Sequence, residues 1–315
     1  MPFVTAFYRA LGTGMVISVD SPIDDKVRSA MESLIEDYEH VLSRFRNDSL
    51  IAAIGKAEHG GSFDFPDWCA PLFDLYDALF SATSGAIDPC VGEDLIRLGY
   101  DASLSFTVTQ DAPEHLGALR GRAVWGRDVT RHETTLVTHE PVQLDFGACG
   151  KGYLVDLLGR MLQSSQFVID AGGDLLIHAE QPISVALEDP EDQSHAIGIA
   201  HIANGALCAS APSRRHWNVA VNERTQIAIH HLLNAIDGLP AQQTEASWAY
   251  IPANATLNLA RDYPTAVADG LATALFVSDV AQLQRTFDFT YATLDESRQI
   301  AVSRNFPAEL FLRSA

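Results

Sequence analysis

Residues 144–156 read LDFGACGKGYLVD: three glycines crowd around one lysine, and an apolar helical pattern follows. Glycine permits turns that other residues avoid, so Gly147, Gly150 and Gly152 could simply carry a strand ending at Leu144 into a helix. The same turn could also do chemistry. Free N–H groups at a helix start, beside Lys151, attract phosphate, and exposed carbonyls can ligate a hard cation. A Walker A loop is excluded, because Asp145 stands where its first glycine should be and Gly152 where its Ser or Thr should be.

Four other stretches carry candidate groups. In AVADGLATALF, residues 266–276, Asp269 and Thr273 are four apart and share a helix face. Carboxylate and hydroxyl oxygens are the donors Mg²⁺ prefers; taken by themselves, a helix-dipole role for Asp269 and a packing role for Thr273 are the better explanation. VIDAGGDLLI, residues 168–177, reads as a hairpin turn or as a place where a ligand approaches backbone closely. IHHLLNAIDGLPA, residues 229–241, places His230 and His231 on a strand before a turn-rich loop. Adjacent strand residues point to opposite faces, so at most one of the two faces a given site; it could act as a general base or be structural. In SGAIDPCVG, residues 84–92, Asp88 marks a turn or a loop lining a site.

The elements that must position these groups are read from periodicity. Residues 3–19 predict two short strands broken at 11–14. Val27, Met31, Leu34, Ile35, Tyr38 and Leu42 then share one helical face. Residues 43–51 predict a polar loop, 67–83 a second helix and 84–92 a loop. Residues 105–144 predict mostly alternating strand, with a helical insert near 113–119. A helix then runs to about 162, a short strand covers 167–169, and further strands continue to about 233. After a polar loop at 234–246, a strand is expected at 247–251, a helix at 265–278 and strands at 289–294 and 299–303. Strands cluster without steady alternation with helices, which argues for an α+β fold of mixed, largely antiparallel sheets with packed helices.

Composition narrows the function. The 315 residues contain 47% hydrophobic and 20% charged residues, as in a soluble globular protein. A net charge of −20 argues against nucleic acid as a partner. Cys69, Cys90, Cys149 and Cys208 form neither a CxxC pair nor a disulfide framework, which fits a reducing, cytoplasmic setting. No signal peptide, membrane span or membrane anchor is read at the N-terminus.

In order along the chain, these segments resemble the ApbE family, the FAD:protein FMN transferases. The family shows a GT start, a polar loop like STYRPDSEIS and a G-x-F-D-P turn. Next come an LDLGGIAKGYAVD-like segment, NAGGD, a T-S-G turn, H-I-I-D-P-R-T-G and ADALATAL. The corresponding segments here are 11–14, 43–51, 85–89, 144–156, 170–174, 208–211, 231–240 and 268–275. GKGYLVD, AGGD and ADGLATAL are the specific matches. The resemblance implies an ApbE-like, T-fold-related architecture in one domain over 1–315, which can divide into two subdomains around a central cleft.

It also implies chemistry. FAD is the substrate and Mg²⁺ the cofactor. A Ser or Thr hydroxyl of an acceptor flavoprotein takes the FMN group, and AMP leaves. By position, Asp269, Thr273 and a turn carbonyl, that of Gly150 ahead of Ala148, are the metal ligands. Lys151 holds the pyrophosphate region or orders the turn. Gly172, Gly173 and Asp174 border the flavin or its ribityl chain. Phe45 stacks on an aromatic ring of FAD, with Ser49 in the same loop. Asp88, Ser210 and Asn234 belong to the flavin-binding set, and His231 activates the acceptor hydroxyl. Some positions depart from the pattern: Asn234 stands where the family has aspartate, Ala235, Ile236 and Asp237 replace proline, arginine and threonine, and the T-S-G turn reads Ala209-Ser210-Ala211. Asparagine supplies no negative charge. An FAD pyrophosphatase giving FMN and AMP, or a non-catalytic FAD-binding protein, are therefore the alternatives.

Overall fold

Strand pairing organises the fold. The computed structural model describes residues 1–222 and 225–311; 223–224 and 312–315, within the expected domain, lie outside the described residues. A nine-stranded sheet carries β1 (Phe3–Ala10), β2 (Thr13–Val19), β6 (Phe167–Asp170), β7 (Asp174–Glu188), β8 (Ala196–Ser210), β13 (Thr244–Pro252), β14 (Thr290–Asp295) and β15 (Ile300–Val302) in that spatial order. The ninth strand, β16 (Ala308–Leu310), also pairs with β8, and every named pair is antiparallel. A three-stranded sheet joins β3 (Gly61–Asp64), β5 (Thr135–Thr138) and β4 (Val129–His132). Two hairpins, β9 (His216–Asn222) with β10 (Thr225–His230) and β11 (Leu233–Asn234) with β12 (Leu239–Pro240), complete the described strands. This is the expected α+β class.

Strand alternation divides the core. Ala206 and Cys208 of β8 join one hydrophobic cluster with Ala249 and Ile251 of β13. Leu207 joins a second cluster with Trp248, Leu175, Ile177 and Leu294. The first cluster contains the helices: α1 (Asp25–Leu42), α3 (Ala70–Ala82), α6 (Gly150–Gly159) and α8 (Pro264–Ala274). Asp24 caps α1 by accepting from the Val27 N–H at 2.8 Å, and Met31, Ile35, Tyr38 and Leu42 form its buried stripe. Helix α8 is buried on nearly every side, from Thr265 to Ala272. An all-round buried helix has no solvent face on which to place a charge, and this one carries Asp269, 2% exposed.

Several expectations are corrected. Of residues 105–144 only β4 and β5 are strand. The apolar alternation before them is interrupted by Leu104 and Phe106 at φ 53° and 49°, which no strand accommodates. The insert near 113–119 divides into α5 (Ala112–His115) and a 3-10 turn at Ala118–Arg120. The polar loop at 43–51 ends in α2 (Leu50–Gly55), and the loop at 84–92 leads into α4 (Gly92–Arg97). Short helices α7 (Asn258–Asp262) and α9 (Val280–Leu283) flank α8. The loop at 234–246 holds β11, β12 and the start of β13. Among the described residues no helix is long and apolar enough to cross a membrane.

Helices α6 and α8 approach so closely that Gly152 is required at their crossing. A Cβ there would lie 2.3 Å from the Thr265 carbonyl oxygen and 2.9 Å from the Ala266 nitrogen. Gly152→Ala should therefore push the helices apart and lower stability by about 1–3 kcal/mol. Urea unfolding followed by circular dichroism checks this; an unchanged midpoint would contradict the close crossing.

Candidate active site

The site grows from the contact of α6 with α8. Asp156, the last residue of GKGYLVD, sits inside α6 and turns its carboxylate onto the start of α8. It accepts from the Thr265 N–H at 3.1 Å and the Ala266 N–H at 2.8 Å. Those amides belong to the helix turn that lacks internal partners. Burial pushes Asp156 up to about 7, while the backbone bonds pull the other way. In return, the Gly152 N–H of α6 donates to Asp269 Oδ2 of α8 at 3.0 Å.

Lys151 connects this pair to the sheet. Its ammonium bonds Asp174 at the start of β7 and lies 3.9 Å from Asp269 Oδ1. The two carboxylates are nearly or wholly buried, and one lysine serves both. Burial raises Asp269 to about 8; the Asp174 charge adds to this and Lys151 opposes it. Burial also raises Asp174, again against Lys151. Lys151 itself is raised despite its desolvation, because both acids favour its charged form. Asp174 Oδ1 is a buried oxygen without a hydrogen-bond partner. With both acids ionised the cluster is one positive charge short, and either a proton on Asp269 or a cation makes up the difference.

Its neighbouring donors are all oxygen. Thr273 Oγ1 lies 3.3 Å from the Ala148 carbonyl and 3.4 Å from Ser210 Oγ. One carboxylate, one hydroxyl and one carbonyl suit Mg²⁺, which keeps waters and phosphate oxygens in its shell. Among the described residues no three His, Cys, Asp or Glu side chains form a metal cage, so any cation here would rely on such mixed donors. The carbonyl beside Thr273 is that of Ala148. The Gly150 carbonyl instead accepts from the buried Tyr38 hydroxyl at 2.8 Å, which turns it toward the core.

The AGGD turn forms an adjoining wall. Gly172 and Gly173 adopt φ +70° and +108°, a region that L side chains rarely occupy. Asp170 Oδ1 accepts from both their N–H groups, at 2.9 and 3.2 Å, and a Cβ on Gly172 would meet Thr13 Oγ1 at 2.9 Å. The Ala209 N–H donates to the Gly173 carbonyl at 3.1 Å, so the turn lies against the Ser210 end of β8.

His231 has its Nδ1 3.2 Å from the Arg215 carbonyl. A carbonyl can only accept, so Nδ1 carries the proton and Nε2 keeps its lone pair. Burial lowers His231 to about 4, and the charges of Arg215, His230 and Lys151 add to the shift. The imidazole is therefore neutral near pH 7. His230 has its Nε2 2.8 Å from the Ala241 carbonyl, so the two histidines serve different segments; β10 ends at His230, and His231 stands in the loop beyond the strand on which both were expected.

Some expected residues have other work. Ser49 is 2% exposed and caps α2, accepting from the Ala52 N–H at 3.1 Å. Asp88 accepts from the Cys90 N–H at 2.8 Å and from both terminal nitrogens of Arg122 at 3.4 Å. Arg122 also pairs with Asp94 at 2.8 Å and donates to the Ala235 carbonyl at 2.7 Å, so Asp88 supports the loop after His231 from behind. Asn234 Oδ1 accepts from the Ile236 N–H at 3.0 Å and so forms a turn, a role that needs no charge. Phe45 is 40% exposed, with its ring 5.4 Å from that of Tyr100 and 4.2 Å from the Arg44 guanidinium. A groove of about 510 Å³ borders Asn234 and the end of α8, but none of Lys151, Asp174, Asp269 or His231 lines it. Sequence reasoning missed Arg44, Tyr100, Arg122, Asp156 and Arg215. Only Asp156 left a signal, as the one carboxylate of its helix.

Fold and donors together define an α+β protein with an oxygen-rich cluster of donors where α6 meets α8. The ApbE family profile matches residues 11–293, and the chain belongs to the ApbE family. It is 23% identical over 273 residues to an FAD:protein FMN transferase of Klebsiella pneumoniae (83% of this chain, 74% of that protein). It is 27% identical over 286 residues to an FAD:protein FMN transferase of Treponema pallidum (80% and 72%). The crystal structure of an ApbE protein from Thermotoga maritima superimposes with a TM-score of 0.79 at 20% identity, covering 98% of this chain and 99% of that one.

Two predictions follow from the geometry. Asp156→Ala strands two buried amides and should cost about 2 kcal/mol or more, with Asp156→Asn milder; chemical denaturation measures both. The His231 imidazole resonances should titrate far below the usual 6.5, so the ring stays neutral from pH 8 to pH 6. An NMR midpoint near 6.5 would contradict its burial.

Proposed function

We propose that this chain is a Mg²⁺-dependent FAD:protein FMN transferase that modifies a Ser or Thr hydroxyl of an acceptor flavoprotein and releases AMP. The observation that carries this reading is the pair of buried carboxylates, Asp174 and Asp269, that share the single Lys151, with Thr273 on the same helix as Asp269. Asp269, Thr273 and the Ala148 carbonyl would hold the cation. When bound, Mg²⁺ would neutralise pyrophosphate charge and the leaving oxygen.

The chain's own residues account for the rest. Lys151 places a fixed positive charge beside the metal donors. Gly172 and Gly173 let the dinucleotide approach backbone. His231 Nε2 accepts the proton of the acceptor hydroxyl. The hydroxyl oxygen then bonds to the FMN-side phosphorus as the bond to the AMP oxygen breaks, and AMP leaves with that electron pair. The four buried thiols fit the reducing cytoplasm, where a cytosolic acceptor would be met.

The altered loop at Asn234–Asp237 favours one further reading, in which water replaces the acceptor and the products are free FMN and AMP. Mass spectrometry of candidate acceptors incubated with FAD, Mg²⁺ and the protein separates the two. The transferase reading expects one FMN added per acceptor Ser or Thr; free FMN and AMP without any adduct would assign hydrolysis. Asp269→Ala should cut turnover by at least about 100-fold. His231→Ala should cut it by a similar factor, about 100-fold, while leaving FAD affinity nearly unchanged.

A further inference from the structure

Arg215 differs from its neighbours in the kind of partner it keeps. Arg44 pairs with Asp145 and Arg214 with Glu188, whereas Arg215 has no carboxylate within 4.0 Å among the described residues. Its side-chain partner is the Tyr100 hydroxyl. The chain carries a net charge of −20, yet this half-buried guanidinium is held by a neutral group.

Its surroundings hold it rigidly. Tyr100 is 6% exposed, stacks on Trp217 at 5.7 Å and lies under the Arg44 guanidinium at 4.7 Å. One terminal nitrogen of Arg215 reaches the β1–β2 turn, 3.8 Å from where a Cβ on Gly12 would stand. The next residue, Thr13, abuts Gly172 of the AGGD turn. The Arg215 carbonyl meanwhile fixes His231 Nδ1. One residue thus holds the proposed base through its backbone and extends a free cation toward the glycine turn.

We propose that Arg215 is a phosphate-binding residue of this cleft, contacting the FMN-side phosphate beside His231. The proposal rests on the transferase reading. A planar guanidinium with free donors matches phosphate oxygens, and a fixed donor stabilises charge that develops on the phosphoryl group during transfer. Tyr100 sets the direction of the fork. A purely structural Arg215 would only tie the base of β9 to the Tyr100 loop.

The test compares wild type with Arg215→Gln, which keeps a donor for Tyr100. FAD, FMN, AMP and riboflavin are titrated by calorimetry, with thermal unfolding as a control for folding. FAD and FMN affinity should fall about tenfold or more, with riboflavin and AMP unchanged, and Arg215→Lys should recover part of the FMN affinity. Equal losses for riboflavin and FMN would show a structural role and overturn the proposal. So would unchanged FMN affinity, or a loss confined to AMP. Failure of the wild type to bind FAD would instead overturn the transferase reading itself.

Discussion

Everything in this site depends on keeping the Asp269 carboxylate inside a helix that water scarcely reaches. Isolated in an apolar core, such a charge would cost far more than one domain's stability. Two features offset that cost: the Gly152 N–H and the Lys151 ammonium. Neither is available unless α6 touches α8. Gly152 permits that contact, and Asp156 secures it by satisfying the α8 amides. The acid therefore dictates the packing of the two central helices. The balance stays incomplete, with two buried acids for one lysine, and this deficit is the property a cation would satisfy.

The surroundings of His231 are built differently. His231, Arg215 and the AGGD turn lie at strand ends and loops, where tertiary contacts set direction. The loop after His231 has lost the charged residues typical of its family, yet it is not loosely held. Arg122, fully buried, spans Asp88 and Asp94 and grips the Ala235 carbonyl, while Asn234 closes the turn. Breaking one partner of such a buried ion network leaves an uncompensated charge, so the loop's shape is insured by residues distant in sequence. The loop at Asn234–Asp237 is thus held in place without the family's aspartate and arginine.

Legibility in the sequence follows the range of the interactions. Helix α1 was readable because its stripe recurs every three or four residues and Asp24 caps it locally. The contact between 144–156 and 266–276 was readable only as motif order, since no local pattern joins segments more than a hundred residues apart. Residues 105–144 misled because apolar alternation is a necessary sign of a strand, whereas pairing needs a partner and an extended backbone. Ser49 and Asp88 show a related limit: in sequence, a buried cap or a buried ion-pair acid has the same composition as a ligand-facing group.

The sequence alone determined the membership of the fold class, the glycine turn before a helix, and the oxygen-bearing face of Asp269 and Thr273. Those properties are local or are carried by residue type. Tertiary structure decided that Lys151 is shared between Asp174 and Asp269, that the Ala148 rather than the Gly150 carbonyl lies beside Thr273, and that His231 is a neutral imidazole with Nε2 free. Each depends on burial and on which distant carbonyl, hydroxyl or charge is adjacent, and chain order does not encode either directly. In LDFGACGKGYLVD the glycines proved less a phosphate loop than a clearance. The small size of Gly152 lets a lysine and an amide meet one buried carboxylate.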